Sequence, residues 1–311
     1  MTKHVLVTGG AGFIASNLAD AYLERGWRVT IVDNLSTGDW RNINPRAVFY
    51  ELDIRDAAAA DLIRELKPDV VSHHAAQMDV RKSVEDPVFD AGVNVIGSLC
   101  LLEAAADAGV KRLVFASTGG ALYGEPLEVP QSEEHPAAPL SPYGCAKLAV
   151  ERYLHYFRVV RGLSSVALRY ANVYGPRQNA HGEAGVVAIF AGQLLDGQPV
   201  MINGSGAQTR DFIYVGDIVA ANLAASEAEW QGEYNVGTGV ETSINEVYEA
   251  LASIAGISTP AGHGPAKAGE QLRSVIDGNR IRSLATLPEP VVLREGLTVT
   301  LAYFRGSERT R

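Results

Sequence analysis

Short apolar runs alternate with longer helical stretches along the first half of the chain. Continuous apolar runs bounded by glycine or polar residues are typical of strands buried in a parallel sheet. We predict the first strand from His4 onwards and the next four over residues 28–32, 48–52, 70–73 and 112–116. The stretches that we predict as helices are residues 13–25, 61–66, 93–108 and 143–161. This alternation predicts an α/β fold built on a parallel sheet.

A glycine-rich turn joins the first strand to the first helix. Gly9 and Gly12 let the backbone approach a pyrophosphate, and the free N–H groups at the start of the helix favour an anion there. The second strand ends in Asp33, whose carboxylate can accept both ribose hydroxyls of NAD and would repel the additional phosphate of NADP. Strand, turn, helix, strand and acid in this order predict an NAD site.

Further residues expected near this cofactor follow the third and fourth strands. Asp53 and Ile54 end the third strand, where we expect them beside the adenine, with Asp53 accepting from its amino group. Ala75, Ala76 and Gln77 follow the fourth strand, and small side chains there allow a cofactor to approach closely.

Two histidines and one asparagine nearby allow more than one interpretation. We interpret His73 and His74 as structural rather than metal ligands, because no other ligand cluster lies at a suitable spacing, and we expect no metal site. Asn94 begins the apolar stretch 93–108 and is either a helix cap or a polar bridge to the catalytic region.

Cys100 and Cys145 are too few and too far apart for a disulfide framework.

Candidate catalytic side chains follow the fifth strand and open the last predicted helix. Ser117 and Thr118 end that strand, where ligands of open parallel sheets bind. Tyr143 and Lys147 are four residues apart and therefore share one helix face. A nearby ammonium and a positive nicotinamide would lower the pKa of the phenol, ordinarily about 10, towards that of a general base. The alternative is an amphipathic surface pair.

The net charge and the hydropathy of the chain indicate which classes of partner we do not expect. The 311 residues carry a net charge of −9 and 47% hydrophobic content, which gives no electrostatic reason to expect nucleic acid or an anionic membrane as partner. No apolar run approaches the length of about 18 residues that a membrane span needs, and no signal peptide pattern precedes the first strand. We expect a cytoplasmic protein.

Four segments together resemble the extended short-chain dehydrogenase/reductases that act on nucleotide sugars, and among them the UDP-glucose 4-epimerases and their UDP-N-acetylglucosamine-using relatives. These segments are Thr8–Ile14, His73–Gln77, Tyr143-x-x-x-Lys147 and Leu168–Arg177. The resemblance implies a Rossmann-type doubly wound parallel sheet over residues 1–172, with 211–239 returning to it, and a smaller substrate lobe over 173–311. It also implies a homodimer through helices 93–108 and 143–161.

The resemblance implies roles for single residues. Tyr143 is the base, Lys147 holds the nicotinamide ribose and Thr118 bonds the 4-hydroxyl of the sugar. The remaining residues expected at NAD are Gly9, Gly12, Phe13, Ile14, Asp33, Asn34, Asp53, Ile54, Ala75, Ala76, Gln77, Asn94 and Tyr170. Those expected at the UDP-sugar, besides Tyr143 and Thr118, are Ser117, Asn172, Val186, Val187, Ile202, Asn203, Arg210, Arg273 and Ser274.

Two segments depart from the family pattern. Ala15 replaces the third glycine, where an added methyl should be tolerated. Lys267 stands where the family has a phosphate-binding arginine, so either Lys267 or Arg273 is expected at the diphosphate. Ser274 matches a position beside the C2 group of the sugar, and its small side chain leaves room for an N-acetyl group.

The side chains at residues 119 and 120 distinguish the members of this family that catalyse different reactions. Members that dehydrate or decarboxylate the sugar carry acidic side chains there, whereas Gly119 and Gly120 cannot transfer a proton. We therefore predict interconversion of UDP-glucose and UDP-galactose, with a 4,6-dehydratase or decarboxylase as the alternative. A non-catalytic NAD-binding regulator is the alternative from another class; such proteins commonly lose the tyrosine or the lysine.

Overall fold

The fold is described by a computed structural model that covers residues 2–179, 185–266 and 271–308. The strands are β1 (His4–Thr8), β2 (Arg28–Asp33), β3 (Val48–Glu51), β4 (Val70–His73), β5 (Arg112–Thr118), β6 (Ser165–Tyr170), β7 (Asn172–Tyr174), β8 (Met201–Asn203), β9 (Thr209–Arg210), β10 (Phe212–Tyr214), β11 (Gly232–Val236), β12 (Thr242–Ser243), β13 (Gly262–Gly264) and β14 (Arg273–Ser274). The helices are α1 (Phe13–Glu24), α2 (Ala57–Leu66), α3 (Val80–Glu85), α4 (Pro87–Ala91), α5 (Ser98–Ala108), α6 (Pro142–Arg161), α7 (Val186–Leu195), α8 (Val215–Glu227), α9 (Ile244–Ala255), α10 (Asn279–Leu284) and α11 (Leu293–Glu308).

Seven of these strands form one parallel sheet in the order β11-β6-β5-β4-β1-β2-β3. The chain direction across the sheet reverses at β1, whose neighbours are β2 and β4. Thr8 pairs with both Val32 and His73, so the carboxyl ends of these strands meet at one edge. In open α/β sheets, ligands bind at this edge beside the reversal point. The predicted α/β fold is confirmed.

Apolar side chains alternate between the two faces of the sheet, and helices cover both faces. Leu6, Val71 and Phe115 point to the face covered by α2, α5 and α6. Val7 and Ile31 point to the opposite face, where they pack with residues of α1 and with Leu223 of α8. Burial on both faces explains why the strands are continuous apolar runs.

A second core lies in the C-terminal half of the chain. It joins Phe190 of α7, Ile202 of β8, Leu251 of α9 and Leu297 of α11. The chain also returns to the sheet twice in this half. α8 packs against α1, and β11 pairs with β6 as the edge strand, with Val236 opposite Tyr170.

The predicted helix 93–108 is less regular and begins earlier. A π-helical segment, Gly92–Gly97, joins α4 to α5, so Pro87–Ala108 is one continuous helical segment of 22 residues. By length and apolar composition alone it could cross a membrane, contrary to the expectation from the sequence. This is weak support for a membrane span, because a core helix passes the same test, and α5 packs against α2 and α6.

Candidate active site

The turn between β1 and α1 brings the backbone close to the end of β4. Gly9 has φ of +70°, and a Cβ at this position would lie 2.7 Å from the backbone nitrogen of Ala75. The Gly12 nitrogen donates to the Gly9 carbonyl at 2.9 Å, and Gly12 begins α1 without a side chain that caps the helix. Phe13 and Ile14 are the first two residues of α1. The turn therefore presents the start of the helix to an anion.

Ala15 fits where the family pattern has glycine. Its side chain is buried in the core that Val7 and Leu18 share. The methyl group therefore packs between α1 and the sheet, as expected.

Asp33 is oriented by backbone N–H groups at the end of β2. Its carboxylate accepts hydrogen bonds from the nitrogens of Ala11 at 3.0 Å and Leu35 at 2.8 Å. Gly38 closes over it, since a Cβ there would lie 3.0 Å from Asp33 Oδ1 and 2.8 Å from Ala11 Cβ. The sequence reasoning missed Gly38, for which a lone glycine in a polar loop was the available signal.

The expected adenine residues are already engaged with one another. Asp53 accepts from Asn34 Nδ2 at 2.9 Å and forms an ion pair with Arg55, whose Nη2 lies 2.7 Å away. The hydrogen bonds from Arg55 hold the pKa of Asp53 well below its usual range. The Ile54 side chain is buried against Gly97. The Asp53 carboxylate is thus held by protein groups, and its expected contact with the adenine amino group stays a prediction.

Asn94 bridges two elements and is not a cap. It lies inside the π-helical segment; its Oδ1 accepts from the Gln77 nitrogen and its Nδ2 donates to the Gln77 carbonyl, both at 2.9 Å. Ala75 and Ala76 precede Gln77 and are partly buried beside the glycine turn. Asn94 therefore fixes the segment that follows β4.

The two histidines make hydrogen bonds with neighbouring protein groups. His73 contacts Thr8 Oγ1 at 2.7 Å and Ser98 Oγ at 2.9 Å, and burial lowers the pKa of His73 and of His74 to about 3. Within the described ranges no cluster of three metal-ligating side chains occurs.

Tyr143 and Lys147 lie in the first two turns of α6. Ser141 caps this helix by accepting from the Gly144 nitrogen at 3.1 Å. Lys147 is buried; its Nζ donates to the Ala116 carbonyl at 2.9 Å and lies 5.7 Å from the centre of the Tyr143 ring. The pair therefore shares one face of the helix beside the end of β5.

The acidity of these two groups is set by burial. Burial lowers the pKa of Lys147 to about 8, and nearby Asp90 and Glu151 raise it in part. Burial and the Asp90 charge raise the pKa of Tyr143. In the protein without cofactor, desolvation of the phenolate dominates, and the lowering expected with a positive nicotinamide beside Tyr143 stays a prediction.

Ser117 and Thr118 face opposite sides of β5. The Ser117 hydroxyl is buried and donates to Glu151 at 2.7 Å. Its expected contact with the sugar is therefore wrong, because strand alternation turns this side chain into the core. Thr118 Oγ1 is partly exposed and accepts from the Ala121 nitrogen at 3.2 Å.

Gly120 marks the point where three expected sugar ligands meet. A Cβ at this position would lie 3.8 Å from Asn172 Oδ1 and 4.0 Å from both Ser274 Oγ and Thr118 Oγ1. Asn172 begins β7, Thr118 ends β5 and Ser274 lies on β14, so the fold assembles them from distant parts of the chain. They surround a position that carries no side chain.

The residues expected at the nucleotide differ in placement. Val187 and Ile202 are buried in the second core, so their side chains do not line an open site, whereas Val186 is partly buried and Asn203 is exposed. Packing in the second core explains the burial of these two side chains, and the expected place of both segments at the uracil stays a prediction. Asn203 lines a cleft of about 530 Å³ that Arg273 also lines.

The cationic candidates are held by protein groups. Arg273 pairs with Glu241 at 2.6 Å and 2.8 Å, and Arg210 Nη1 donates to the Thr209 carbonyl at 2.7 Å. Lys267 lies outside the described residues.

Tyr170 is a core residue. Its hydroxyl donates to Asn222 at 3.0 Å, and its ring stacks on His74 with 6.3 Å between centres. Both the ring and the hydroxyl are thus engaged in the sheet packing, and the expected place of Tyr170 at the cofactor stays a prediction.

Comparison with known families identifies the family of the chain. The model of the NAD dependent epimerase/dehydratase family matches residues 5–237. The chain belongs to this family. The match spans the glycine turn, the Tyr143–Lys147 pair and strand β11, which returns to the sheet.

Several solved structures resemble nearly the whole chain. UDP-glucose 4-epimerase from Thermotoga maritima with UDP-glucose is 44% identical, covers 98% of this chain and 99% of its own, and superposes with a TM-score of 0.95. The Thermus thermophilus UDP-glucose 4-epimerase complex with NAD is 45% identical with the same coverage and a TM-score of 0.92. UDP-N-acetylglucosamine 4-epimerase from Methanobrevibacter ruminantium, in complex with UDP-N-acetylmuramic acid, is 34% identical with the same coverage and a TM-score of 0.94.

Proposed function

We propose that the chain is an NAD-dependent UDP-hexose 4-epimerase that interconverts UDP-glucose and UDP-galactose. One observation carries the proposal: Thr118, Asn172 and Ser274 surround Gly120 beside the helix that presents Tyr143 and Lys147. The similar proteins from Thermotoga and Thermus named for this activity support the assignment.

The residues at the sheet edge fit NAD. The close approach of Gly9 to Ala75 leaves no room for a side chain, and the uncapped start of α1 suits a pyrophosphate. Asp33 remains available for the ribose because only backbone N–H groups orient it. Bound NAD supplies a reversible acceptor for the hydride from C4 of the sugar.

The proton is handled by Tyr143. The phenolate takes the proton of the sugar 4-hydroxyl as the hydride leaves C4, and the phenol returns it when the hydride is delivered to the other face. Lys147 holds the nicotinamide ribose, and Thr118 orients the 4-hydroxyl. Because the cofactor regains its starting state in each cycle, we expect it to stay bound.

Gly119 and Gly120 favour epimerisation over dehydration. A Cβ at Gly119 would lie 2.6 Å from a methyl group of Ile276, so this position faces packing and not the substrate. Gly120 faces the expected sugar site without a group that transfers protons. Removal of the 6-hydroxyl needs such an acid and base.

Ser274 leaves space beside the sugar, which supports use of N-acetylated UDP-hexoses as well. Replacement of Ser274 by tyrosine fills this space. We expect Ser274→Tyr to lower turnover of UDP-N-acetylgalactosamine at least about 10-fold relative to UDP-galactose, since a substituent without room costs about 1–3 kcal/mol in the transition state. Steady-state assays with both substrates measure the ratio; equal loss on both would contradict this role.

Exposed apolar side chains on the π-helical segment and α6, among them Ile96 and Tyr156, support a homodimer through these helices.

We assign residues 1–172 with 211–239 to the NAD lobe and 173–311 to the nucleotide-sugar lobe. Location in the cytoplasm, with neither membrane nor nucleic acid as partner, also remains a prediction.

Product identification tests the activity. The purified protein is incubated separately with UDP-galactose, UDP-N-acetylgalactosamine and dTDP-glucose without added NAD, and the products are identified by NMR. We expect the C4 epimers of the UDP-sugars. A 4-keto-6-deoxy product would show a dehydratase, and no turnover with NAD supplied would favour a non-catalytic regulator.

A further inference from the structure

Asp90 is a buried carboxylate that the proposed chemistry does not use. It lies on α4 and is 1% exposed. Its Oδ1 accepts hydrogen bonds from Asn94 Nδ2 and Gln77 Nε2, both at 2.9 Å. Its Oδ2 is buried without a hydrogen-bond partner. Such an oxygen is unfavourable unless a nearby positive charge compensates it.

The position of Asp90 links it to the catalytic pair. The helical segment that carries Asp90 packs against α6, which presents Tyr143 and Lys147. The amides that hold Asp90 belong to Gln77 and Asn94, which fix the segment after β4 beside the glycine turn. Asp90 is therefore buried where the segment after β4 and helix α6 both meet the helical segment Pro87–Ala108.

The other charged groups around the pair are compensated or point outwards. Glu151 is paired with Arg169 at 2.7 Å, and His73 and His74 are neutral because burial lowers their pKa values to about 3. On α3, which packs against both α4 and α6, the charged residues are Arg81, Lys82 and Glu85, all exposed. The Lys82 ammonium lies 4.6 Å from the centre of the Phe89 ring.

We propose that Asp90 is a positioning residue that sets the charge of the Tyr143–Lys147 pair, so that the phenol releases its proton only when a positively charged nicotinamide is bound beside it. The proposal rests on the proposed function, in which Tyr143 is the base. A buried negative charge disfavours a phenolate and favours a charged ammonium. This agrees with the raised pKa of Tyr143 and with the effect of Asp90 on the pKa of Lys147.

The consequence is a base that is coupled to the redox state of the cofactor. With oxidised NAD the nicotinamide charge offsets Asp90, and Tyr143 can act as the phenolate. After the hydride has left the sugar, the nicotinamide is neutral, and Asp90 holds the proton on Tyr143. The proton then remains available for return to the 4-keto group when the hydride is delivered back.

Titration of the Tyr143 phenol tests the proposal directly. Tyrosinate absorbance is followed against pH in holoprotein loaded with NAD or with NADH, and the signal of the matching Tyr143→Phe protein is subtracted. In the wild type we expect ionisation at a lower pH with NAD than with NADH. In Asp90→Asn with NADH we expect the midpoint to fall by about one pH unit, because a buried unit charge has been removed.

Two further variants separate charge from packing. Glu85→Gln removes an exposed carboxylate from α3, and we expect it to leave both midpoints unchanged. Asp90→Glu keeps the charge but changes the packing, and we expect its midpoint with NADH to stay close to that of the wild type. Thermal unfolding checks that each variant is folded.

Equal midpoints for Asp90→Asn and the wild type, or an equal fall in Asp90→Glu, would overturn the proposal. If Asp90→Asn does not fold, the wild type decides alone, and equal midpoints with NAD and with NADH contradict the proposal. The titration needs no sugar, so a protein that fails to epimerise UDP-galactose overturns the proposed function separately from this inference.

Discussion

Tyr143 illustrates how a single side chain depends on its surroundings. The spacing to Lys147 predicts a pair on one helix face, and the structure places them so. The direction of the Tyr143 pKa depends on desolvation and on Asp90, which is 53 residues earlier in the chain and on another helix. Spacing identifies a candidate base, whereas its acidity depends on packing that only the folded chain contains.

The buried histidines make stability depend on pH. Burial lowers the pKa of His73 to about 3, below the ordinary value of 6.5, so the unfolded chain binds more protons between these values. The free energy of unfolding should therefore fall as the pH decreases from 6.5 towards 3, by up to about 1.4 kcal/mol per pH unit for each such histidine.

Denaturant unfolding at a series of pH values measures this dependence. We expect His73→Gln to show a smaller decrease across this range than the wild type, because a group that titrates only in the unfolded chain has been removed. His155→Gln, at an exposed position on α6, is the matched control and should keep the wild-type dependence. An unchanged slope in His73→Gln would contradict the account.

Residue-level prediction was correct where the backbone dictates the residue. Gly9 needs a positive φ and a close approach to Ala75, and such glycines are visible in a sequence. Ser117 and Tyr170 were assigned to ligands from position or resemblance, but strand alternation and sheet packing bury both. Asp90 was missed because its partners, Gln77 and Asn94, come together only in the folded chain.

At the scale of elements, α6 is held on the sheet by a buried ion pair. Arg169 of β6 donates to Glu151 of α6 at 3.0 Å and 2.7 Å, and both side chains are almost fully buried. Ser117 of β5 also donates to Glu151. This network fixes α6 against two strands and so fixes the face that presents Tyr143. The sequence gives no direct sign of it, because its three members come from separate elements.

Glu151→Gln should destabilise the protein by about 3–5 kcal/mol, because it leaves the Arg169 guanidinium buried without its counter-charge. Lys111→Met breaks the exposed pair with Asp69 and should cost at most about 1 kcal/mol. Denaturant unfolding of both variants gives the comparison. Similar small losses in the two variants would show that the buried pair does not hold α6.

At the scale of the whole molecule, the two halves of the chain both contribute residues around Gly120. β5 and β7 carry Thr118 and Asn172 to this edge, and β14 brings Ser274 from the C-terminal half. Sheet order follows from the alternation of strands and helices, so the fold was predictable. The short strands β9, β12 and β14 were not, since strands of two residues have no periodicity to recognise.

The expected dimer interface is also a feature of the whole molecule. Exposed apolar residues continue across neighbouring helices: Ile96 is 56% exposed on the π-helical segment, and Tyr156 and Val160 are 46% and 62% exposed on α6. We expect the double variant Ile96→Glu/Tyr156→Glu to be monomeric in analytical ultracentrifugation, because buried unpaired carboxylates oppose association. Val292→Glu, at an exposed apolar position before α11, should remain dimeric. A dimeric double variant would place the interface elsewhere.

The most direct test of the central claim follows the atom that leaves C4. UDP-galactose carrying deuterium at C4 is incubated with the protein in ordinary water, and the UDP-glucose formed is examined by NMR and mass spectrometry. Transfer to bound NAD and back predicts that the deuterium stays at C4 in the product, and Tyr143→Phe should slow its formation at least about 100-fold. UDP-glucose with hydrogen from solvent at C4, or a product with its deuterium at C6, would contradict the account.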